Sequence, residues 1–206
     1  MEKQAMLHFW LKRLHSFTGI FPLGIFIVEH LFANSFSLFG QDVYDRVIAF
    51  YMGIPYIKVI EICLLAVPIL YHAGYGFYIS FIGSINAPPY QYFRNWMYIL
   101  QRVTGIMAFM FIIAHVYSTK IAPMMLGIEP SFGLMVEALK HPPVIAFYVV
   151  GIVSATFHFC NGLWSFMITW GITLGRGAQR FSYYVCTVLF LALSVMGIYA
   201  LKGFMS

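Results

Sequence analysis

Five apolar runs, each long enough to cross a bilayer, constrain this chain more than any other feature of its sequence. A helix needs about 20 apolar residues to span a hydrocarbon core about 30 Å thick. The connections between the runs are too short to fold into a second domain. The sequence therefore predicts an all-α integral membrane protein, with one transmembrane domain over residues 1–206. The predicted spans are residues 15–38, 57–82, 98–122, 143–170 and 180–203.

The composition is typical of a protein surrounded by lipid. Hydrophobic residues make up 61% of the chain, charged residues 9%, and the mean hydropathy is +0.82; soluble domains have about 25% charged residues. The net charge of +5 comes from Lys and Arg placed singly or in pairs near the ends of the apolar runs. That placement is typical of topology signals and not of a nucleic-acid-binding patch.

The basic residues predict that the N-terminus is cytoplasmic. This orientation puts seven of the 12 Lys and Arg residues inside the cell, and it puts the acids of the loops outside. Arginine and lysine are enriched in cytoplasmic loops. The prediction is a multi-pass membrane protein with a cytoplasmic N-terminus and its C-terminus outside. The basic residues predicted inside are Lys3, Lys12, Arg13, Arg94, Arg102, Arg176 and Arg180.

Histidines recur at one depth in the first four runs. His30, His72, His115 and His158 are separated by 42, 43 and 43 residues, and each lies about 15 residues into its own run, or about 22 Å by helical rise. Because successive spans run in opposite directions, His30 and His115 fall near the outer surface. His72 and His158 fall near the inner surface. The sequence thus predicts two pairs at levels about 15 Å apart.

Paired histidines inside a membrane favour metal ligation, because every buried polar group there carries a cost. Two imidazoles supply both axial positions of a haem iron, whereas a zinc or copper site uses three or four converging ligands. The prediction is that the first four spans form a bundle that holds two haems and passes single electrons. Small residues on the histidine faces would make room for the rings, as they also do in plain helix packing. They are Ala33, Gly76, Ala108, Ser118, Gly151, Ser154, Ala155, Asn161 and Gly162.

Three polar residues stand at the inner mouths of the spans. His15 and Ser16 open the first span and Arg102 opens the third. These residues are candidates for binding haem propionates, and interfacial anchoring is the alternative. The segments around them are similar, LHSFTGI at 14–20 and LQRVTGI at 100–106. By itself that similarity indicates only that membrane helices use small residues at their contacts.

Two carboxylates lie within or at the edge of apolar runs on the outer side. Glu29 precedes His30, and Glu61 lies early in the second span. Intramembrane carboxylates are functional candidates, and a quinone that changes redox state must exchange protons. Glu29 and Glu61 are therefore candidate quinone-site residues. The alternative is that they snorkel to the membrane surface or pair with Arg46 and Lys58.

Three long motifs carry a resemblance to a known family. The stretches RLHSFTGIFPLGIF, YFRNWMYILQRVTG and HFCNGLWSFMITWGIT, together with the four histidines, resemble the dihaem cytochrome b subunit of succinate:menaquinone and fumarate reductases. The similarity is to the single-chain form with five helices that is found in the cytoplasmic membrane of bacteria, and it covers essentially the whole chain. The predicted orientation and pairing agree with those of the family.

The resemblance implies roles for the histidines, and it also implies the partner subunits and the quinone. His72 and His158 match the ligands of the haem b proximal to the iron–sulfur subunit, and His30 and His115 match those of the distal haem b. Menaquinone would react near the distal haem. A flavoprotein subunit with covalent FAD and an iron–sulfur subunit with three clusters would dock on the cytoplasmic side. This chain itself would carry no dicarboxylate chemistry and no catalytic residue.

The resemblance also touches three further positions. His15 and Ser16 match a polar pair near the proximal propionates. Some dihaem fumarate reductases have a glutamate two residues before the fourth-span ligand, where this chain has Thr156. That glutamate is implicated in compensating proton movement, so we predict that such a pathway is absent here.

Two other functions fit parts of the pattern. One is the cytochrome b anchor of another membrane oxidoreductase, such as a hydrogenase or a formate dehydrogenase. The other is a transporter that relays protons through histidines. A transporter predicts broken helices and inverted repeats, whereas the repeated segments found here open spans of the same direction.

Overall fold

The structure is a computed structural model that describes residues 2–83 and 92–206. Within those ranges the chain is helical and contains no strand. The five predicted spans are present, so the all-α membrane fold is confirmed. The first begins before the predicted run, because the helix extends through the polar N-terminal residues. The helical segments long and apolar enough to cross a membrane are Glu2–Phe39, Ile57–Ile82, Phe93–Met125, Pro142–Thr169 and Gly175–Gly203.

The first three spans each change helical geometry beside a proline. Pro22, Pro68 and Pro123 have no backbone N–H and cannot continue the regular hydrogen-bond ladder. In the second and third spans the residues just before the proline form a π-helical turn, Ile62–Ala66 and Tyr117–Ile121. The α-helical pieces are Glu2–Ile20, Leu23–Ser35, Ile57–Glu61, Val67–Ile82, Phe93–Val116 and Ala122–Met125, and a 3-10 turn, Phe36–Phe39, ends the first span.

The fourth span, Pro142–Thr169, is the centre of the bundle. It packs along the third span and along the fifth, while the second span packs on the first. We call the end where the first span begins the near end and the opposite end the far end. Two short helices, Gln41–Met52 and Phe132–Ala138, pack against each other at the far end.

Buried side chains form one cluster toward each end. The far cluster combines the two short helices with the third, fourth and fifth spans, and the near cluster joins the first, fourth and fifth spans. Each cluster therefore fixes the fourth span against its neighbours. The far cluster is Tyr44, Phe111, Met135, Leu139, Tyr148, Ile152, Leu201 and Phe204. The near cluster is Leu31, Cys160, Trp164, Cys186 and Leu193.

Buried hydroxyls join the fifth span to the bundle. The Thr156 hydroxyl lies 2.8 Å from that of Ser194, and the Ser37 hydroxyl donates to the Ala200 carbonyl at 2.7 Å. Hydrogen bonds between helices satisfy polar groups that lipid would leave unpaired. Thr156, two residues before His158, thus directs its side chain to the fifth span.

Candidate cofactor-binding site

The structure brings the four intramembrane histidines together in the two pairs that the sequence predicts. The centres of the His72 and His158 rings lie 6.1 Å apart, with ring planes at 88°. The centres of the His30 and His115 rings lie 5.7 Å apart, with planes at 75°. We call the first set the near pair and the second the far pair.

The spacing within each pair matches two ligands of one metal ion. A metal–nitrogen bond is about 2 Å long, so imidazoles on opposite sides of an ion have ring centres about 6 Å apart. In the described part of the chain, no cluster of three or more His, Cys, Asp or Glu side chains forms a metal site. Paired imidazoles suit the two axial positions of a haem iron.

Backbone carbonyls of the first and third spans orient the near pair. His72 Nδ1 lies 2.9 Å from the His15 carbonyl oxygen, and His158 Nδ1 lies 2.9 Å from the Gln101 carbonyl oxygen. A carbonyl only accepts hydrogen bonds, so each Nδ1 carries the proton. Each Nε2 then keeps a free lone pair, which is the tautomer that a metal ligand needs.

Two glycines make room for the near pair. A Cβ at Gly19 would lie 2.5 Å from His72 Cε1, and a Cβ at Gly105 would lie 2.7 Å from His158 Cε1. Each glycine lies four residues after the residue whose carbonyl binds the same ring. The similar segments LHSFTGI and LQRVTGI therefore build the same structure twice, a carbonyl and a glycine that hold a histidine of the next span.

The far pair is held by side chains. His115 Nδ1 lies 3.1 Å from the Tyr148 hydroxyl. The Asn34 amide nitrogen donates to the His30 carbonyl at 2.7 Å, and it lies 3.5 Å from His30 Nδ1 and 3.4 Å from His30 Nε2. The Tyr44 hydroxyl in turn donates to Asn34 Oδ1 at 3.3 Å. Side chains thus approach the ring nitrogens of the far pair, whereas backbone carbonyls accept hydrogen bonds from those of the near pair.

His15 is the propionate candidate that lies against the near pair. Its ring stacks on the His72 ring with centres 4.0 Å apart and planes at 13°. Within the described residues its Nδ1 is buried without a hydrogen-bond partner. Buried polar atoms are rarely left unpaired. An anionic oxygen bound beside the near pair would supply the missing partner.

The other two propionate candidates contact protein groups. Arg102 donates to the carbonyls of Gly83 and Ile79, at 3.2 and 3.4 Å, and its guanidinium lies 4.1 Å from the Tyr98 ring centre. Arg102 thereby binds the last carbonyls of the second-span helix, which a cation stabilises. Ser16 accepts a hydrogen bond from the Trp170 indole at 3.4 Å.

The two carboxylates have different partners. Glu29 lies beside Tyr51 of the 41–52 helix, and its carboxylate is the main cause that raises the pKa of Tyr51 to about 12. Glu61 forms an ion pair with Lys120 that joins the second span to the third. Neither pairs with the residue suggested by the sequence. Beside Tyr51 lies a cavity of about 340 Å³, lined by Phe32, Phe36, Val43, Arg46, Val47, Phe50 and Tyr51.

Sequence reasoning missed most of the residues that hold the histidines. Gly19 and Gly105 had a signal, since they occupy equivalent positions in the two similar segments. Tyr148 and Asn34 had no such signal. Tyr148 approaches His115 from the fourth span, and Asn34 is a polar residue that belongs to no motif. Their positions depend on how the spans pack.

A helical membrane bundle with two pairs of facing histidines has the architecture of a membrane cytochrome b. The family model described as succinate dehydrogenase/fumarate reductase transmembrane subunit matches residues 82–197. The succinate dehydrogenase cytochrome b558 subunit of Bacillus subtilis (strain 168) is 44% identical over 196 residues, which cover 95% of this chain and 96% of that relative. The chain belongs to the family of succinate dehydrogenase/fumarate reductase transmembrane subunits.

Members of this family are membrane subunits of an oxidoreductase complex. The membership of this chain confirms the resemblance predicted from its sequence. The two alternative interpretations, the anchor of a hydrogenase or formate dehydrogenase and the proton-relay transporter, are not supported by either match. The chain is therefore a cytochrome b subunit that works with the other subunits of such a complex.

Proposed function

We propose that this chain binds two haem b groups and carries electrons between an iron–sulfur subunit and menaquinone. His72 and His158 would hold the near haem, and His30 and His115 the far haem. The observation that carries this proposal is the spacing of about 6 Å within both pairs. Support also comes from the relative, whose name describes it as a cytochrome b558. A haem with two histidine ligands supplies one-electron transfer.

The residues around the near pair fit such a group. The carbonyls of His15 and Gln101 fix the tautomer in which Nε2 is free, and second-shell bonds of this kind orient metal ligands. The unpaired Nδ1 of His15 fits a propionate. Ser16 and Arg102 remain propionate candidates at the same end.

Haem quantification on the purified membrane complex tests this proposal. Pyridine haemochrome analysis should give two haem b per chain for the wild type and one for His72→Ala. The control His141→Ala, at an exposed histidine before the fourth span, should keep both. A wild-type complex without haem would overturn the proposal, as would a His72→Ala complex that still holds two.

We place the quinone at the far end, with Glu29 and Glu61 as the candidates for proton exchange. Glu29 precedes a far-pair histidine in sequence and lies beside Tyr51, which lines the cavity. Glu61 is paired with Lys120 inside the membrane region, and an intramembrane ion pair of this kind is a functional candidate. The quinone as substrate rests on the resemblance of the sequence to menaquinone-reactive relatives, and the far location on the position of the carboxylates.

Neutralising each carboxylate separates the two candidates. Glu29→Gln and Glu61→Gln should each keep both haems. Quinone-dependent turnover should fall about 10²–10⁴-fold in the variant that has lost the proton-exchanging carboxylate. Glu137→Gln, at an exposed acid outside the spans, is the control. If neither variant slows quinone reduction while dye-linked succinate oxidation is intact, the far-end assignment is wrong.

The proposal also includes orientation and partners. The near end would face the cytoplasm and receive the iron–sulfur subunit, which is in turn joined to a flavoprotein subunit with FAD. The excess of arginine and lysine predicted at that end supports this orientation. A protease added to intact cells should spare an N-terminal tag and remove a C-terminal one. The opposite pattern would reverse the orientation.

The absence of a compensating proton pathway is part of the proposal. The Thr156 side chain is fully buried and bonded to Ser194 of the fifth span, and a hydroxyl is a poor substitute for a carboxylate that must ionise. In proteoliposomes, electron transfer across the membrane should therefore move net charge. Electroneutral turnover, in which protons cross with the electrons, would contradict this part.

A further inference from the structure

Tyr148 is the polar side chain that meets the far-pair histidine His115. Its hydroxyl lies 3.1 Å from His115 Nδ1, and the ring centres of the two residues are 5.6 Å apart. A histidine that binds metal through Nε2 carries its proton on Nδ1. In that state the imidazole donates and the phenol oxygen accepts.

The packing around Tyr148 fixes its hydroxyl in place. The side chain is 5% exposed and belongs to the far cluster. The Phe111 ring contacts both Tyr148 and His115, with ring centres 5.3 and 5.5 Å away. The hydroxyl also lies 3.9 Å from the Met135 sulfur. A rigid tyrosine can hold the imidazole in one orientation, which a mobile surface group could not do.

We infer that Tyr148 is a positioning residue that fixes the orientation and basicity of His115. This inference rests on the proposed function, in which His115 binds the far haem. An accepting partner at Nδ1 makes the imidazole a more basic ligand, and a more basic ligand favours the oxidised iron. The hydroxyl should therefore lower the reduction potential of the far haem and leave the near haem unchanged.

Removing one oxygen atom tests the inference. In Tyr148→Phe, both haems should remain bound, and a redox titration of their visible absorbance should show the far haem shifted to a more positive potential. The far haem is identified as the one that His30→Ala loses. Tyr183→Phe, at a partly buried tyrosine that packs on Phe93 and Trp164, is the control and should shift neither haem.

A second variant decides the question if Tyr148→Phe does not assemble. The Tyr148 hydroxyl donates to the Met135 sulfur at 3.9 Å, and a hydroxyl that donates is a stronger acceptor for the His115 N–H. Met135→Leu, a substitution that conserves volume, should therefore shift the same haem to a more positive potential by a smaller amount.

The outcomes separate this inference from the proposed function. Unchanged potentials in an assembled Tyr148→Phe complex with two haems would overturn the role of Tyr148 only. Equal shifts of both haems would also overturn it, because they would indicate a general effect on the bundle. If Tyr148→Phe does not assemble, unchanged potentials in Met135→Leu overturn it. A wild-type complex without haem would instead remove the proposed function itself.

Discussion

The near and far pairs have almost the same spacing but are held in different ways. Backbone carbonyls and glycines of the first and third spans fix the near rings, whereas Tyr148 and Asn34 contact the far rings. A carbonyl cannot be exchanged by substitution, so the near pair depends on how closely two helices approach. The far pair depends on individual side chains. The near pair should therefore respond to added volume, and the far pair to lost polar atoms.

The largest effect should follow from adding one methyl group at the near pair. Gly19→Ala and Gly105→Ala would put a Cβ against His72 and His158, at distances that no real contact tolerates. Overpacking of this kind costs about 1–3 kcal/mol, and here it displaces a ligand. Each variant should lose the near haem. Haemochrome analysis should then give one haem per chain, and a redox titration should show that this haem has the potential of the far haem.

Gly74 provides the control for this experiment. It lies on the second span, two residues after His72, and a Cβ there would meet nothing within 4 Å. Gly74→Ala should therefore keep both haems. If Gly19→Ala and Gly105→Ala also keep both, with unchanged potentials, the difference proposed between the pairs is wrong.

A smaller effect should follow from removing a side chain at the near pair. The Gln101 amide donates to the His158 carbonyl at 3.0 Å and accepts from Asn161 at 2.7 Å. Each hydrogen bond between membrane helices contributes about 0.6 kcal/mol. Gln101→Ala should therefore lower the free energy of unfolding by about 1 kcal/mol and the melting temperature by about 2–4 °C.

The haem content of Gln101→Ala should remain at two, because the carbonyl that binds His158 Nδ1 belongs to the backbone. Thermal unfolding of the purified complex and haemochrome analysis measure both quantities. Gln4→Ala, at an exposed residue near the N-terminus, is the control. Loss of the near haem in Gln101→Ala would mean that the side chain, and not the backbone, holds the pair.

The parts of this structure that could be predicted from sequence are those that bilayer thickness and helical rise dictate. The five spans and the pairing of His30 with His115 and of His72 with His158 follow from counting residues along antiparallel helices. The contacts that hold the rings could not be predicted in this way. Tyr148 meets His115 only because the fourth span packs on the third in a particular rotational orientation about its own helix axis.

The partners of the charged residues were also beyond the sequence. Glu61 pairs with Lys120, although Lys58 is closer along the chain, because the second and third spans approach each other there. Arg102 binds the carbonyls at the end of the second span, since that helix ends beside it. Local spacing restricts the choice of partner in one helix, but contacts between helices depend on their packing.

The smallest effect should come from Tyr44, which reaches the far pair through Asn34. Burial raises the pKa of Tyr44 to about 12, and Asp45 and Tyr148 add to the shift. Tyr44 therefore stays protonated near neutral pH, and its hydroxyl keeps its bond to Asn34. Tyr44→Phe should shift the far-haem potential less than Tyr148→Phe does, because an amide separates Tyr44 from His30.

The raised pKa of Tyr44 also predicts a pH dependence. An unfolded tyrosine ionises near its ordinary pKa of 10.0, while the folded one holds its proton to about pH 12. The folded state then binds more protons, so the free energy of unfolding falls as pH rises from about 10. Melting temperatures measured between neutral pH and about pH 11 should fall less steeply for Tyr44→Phe than for the wild type. Parallel curves would mean that Tyr44 is solvated, and the far pair would then depend on Tyr148 and Asn34 without support from the 41–52 helix.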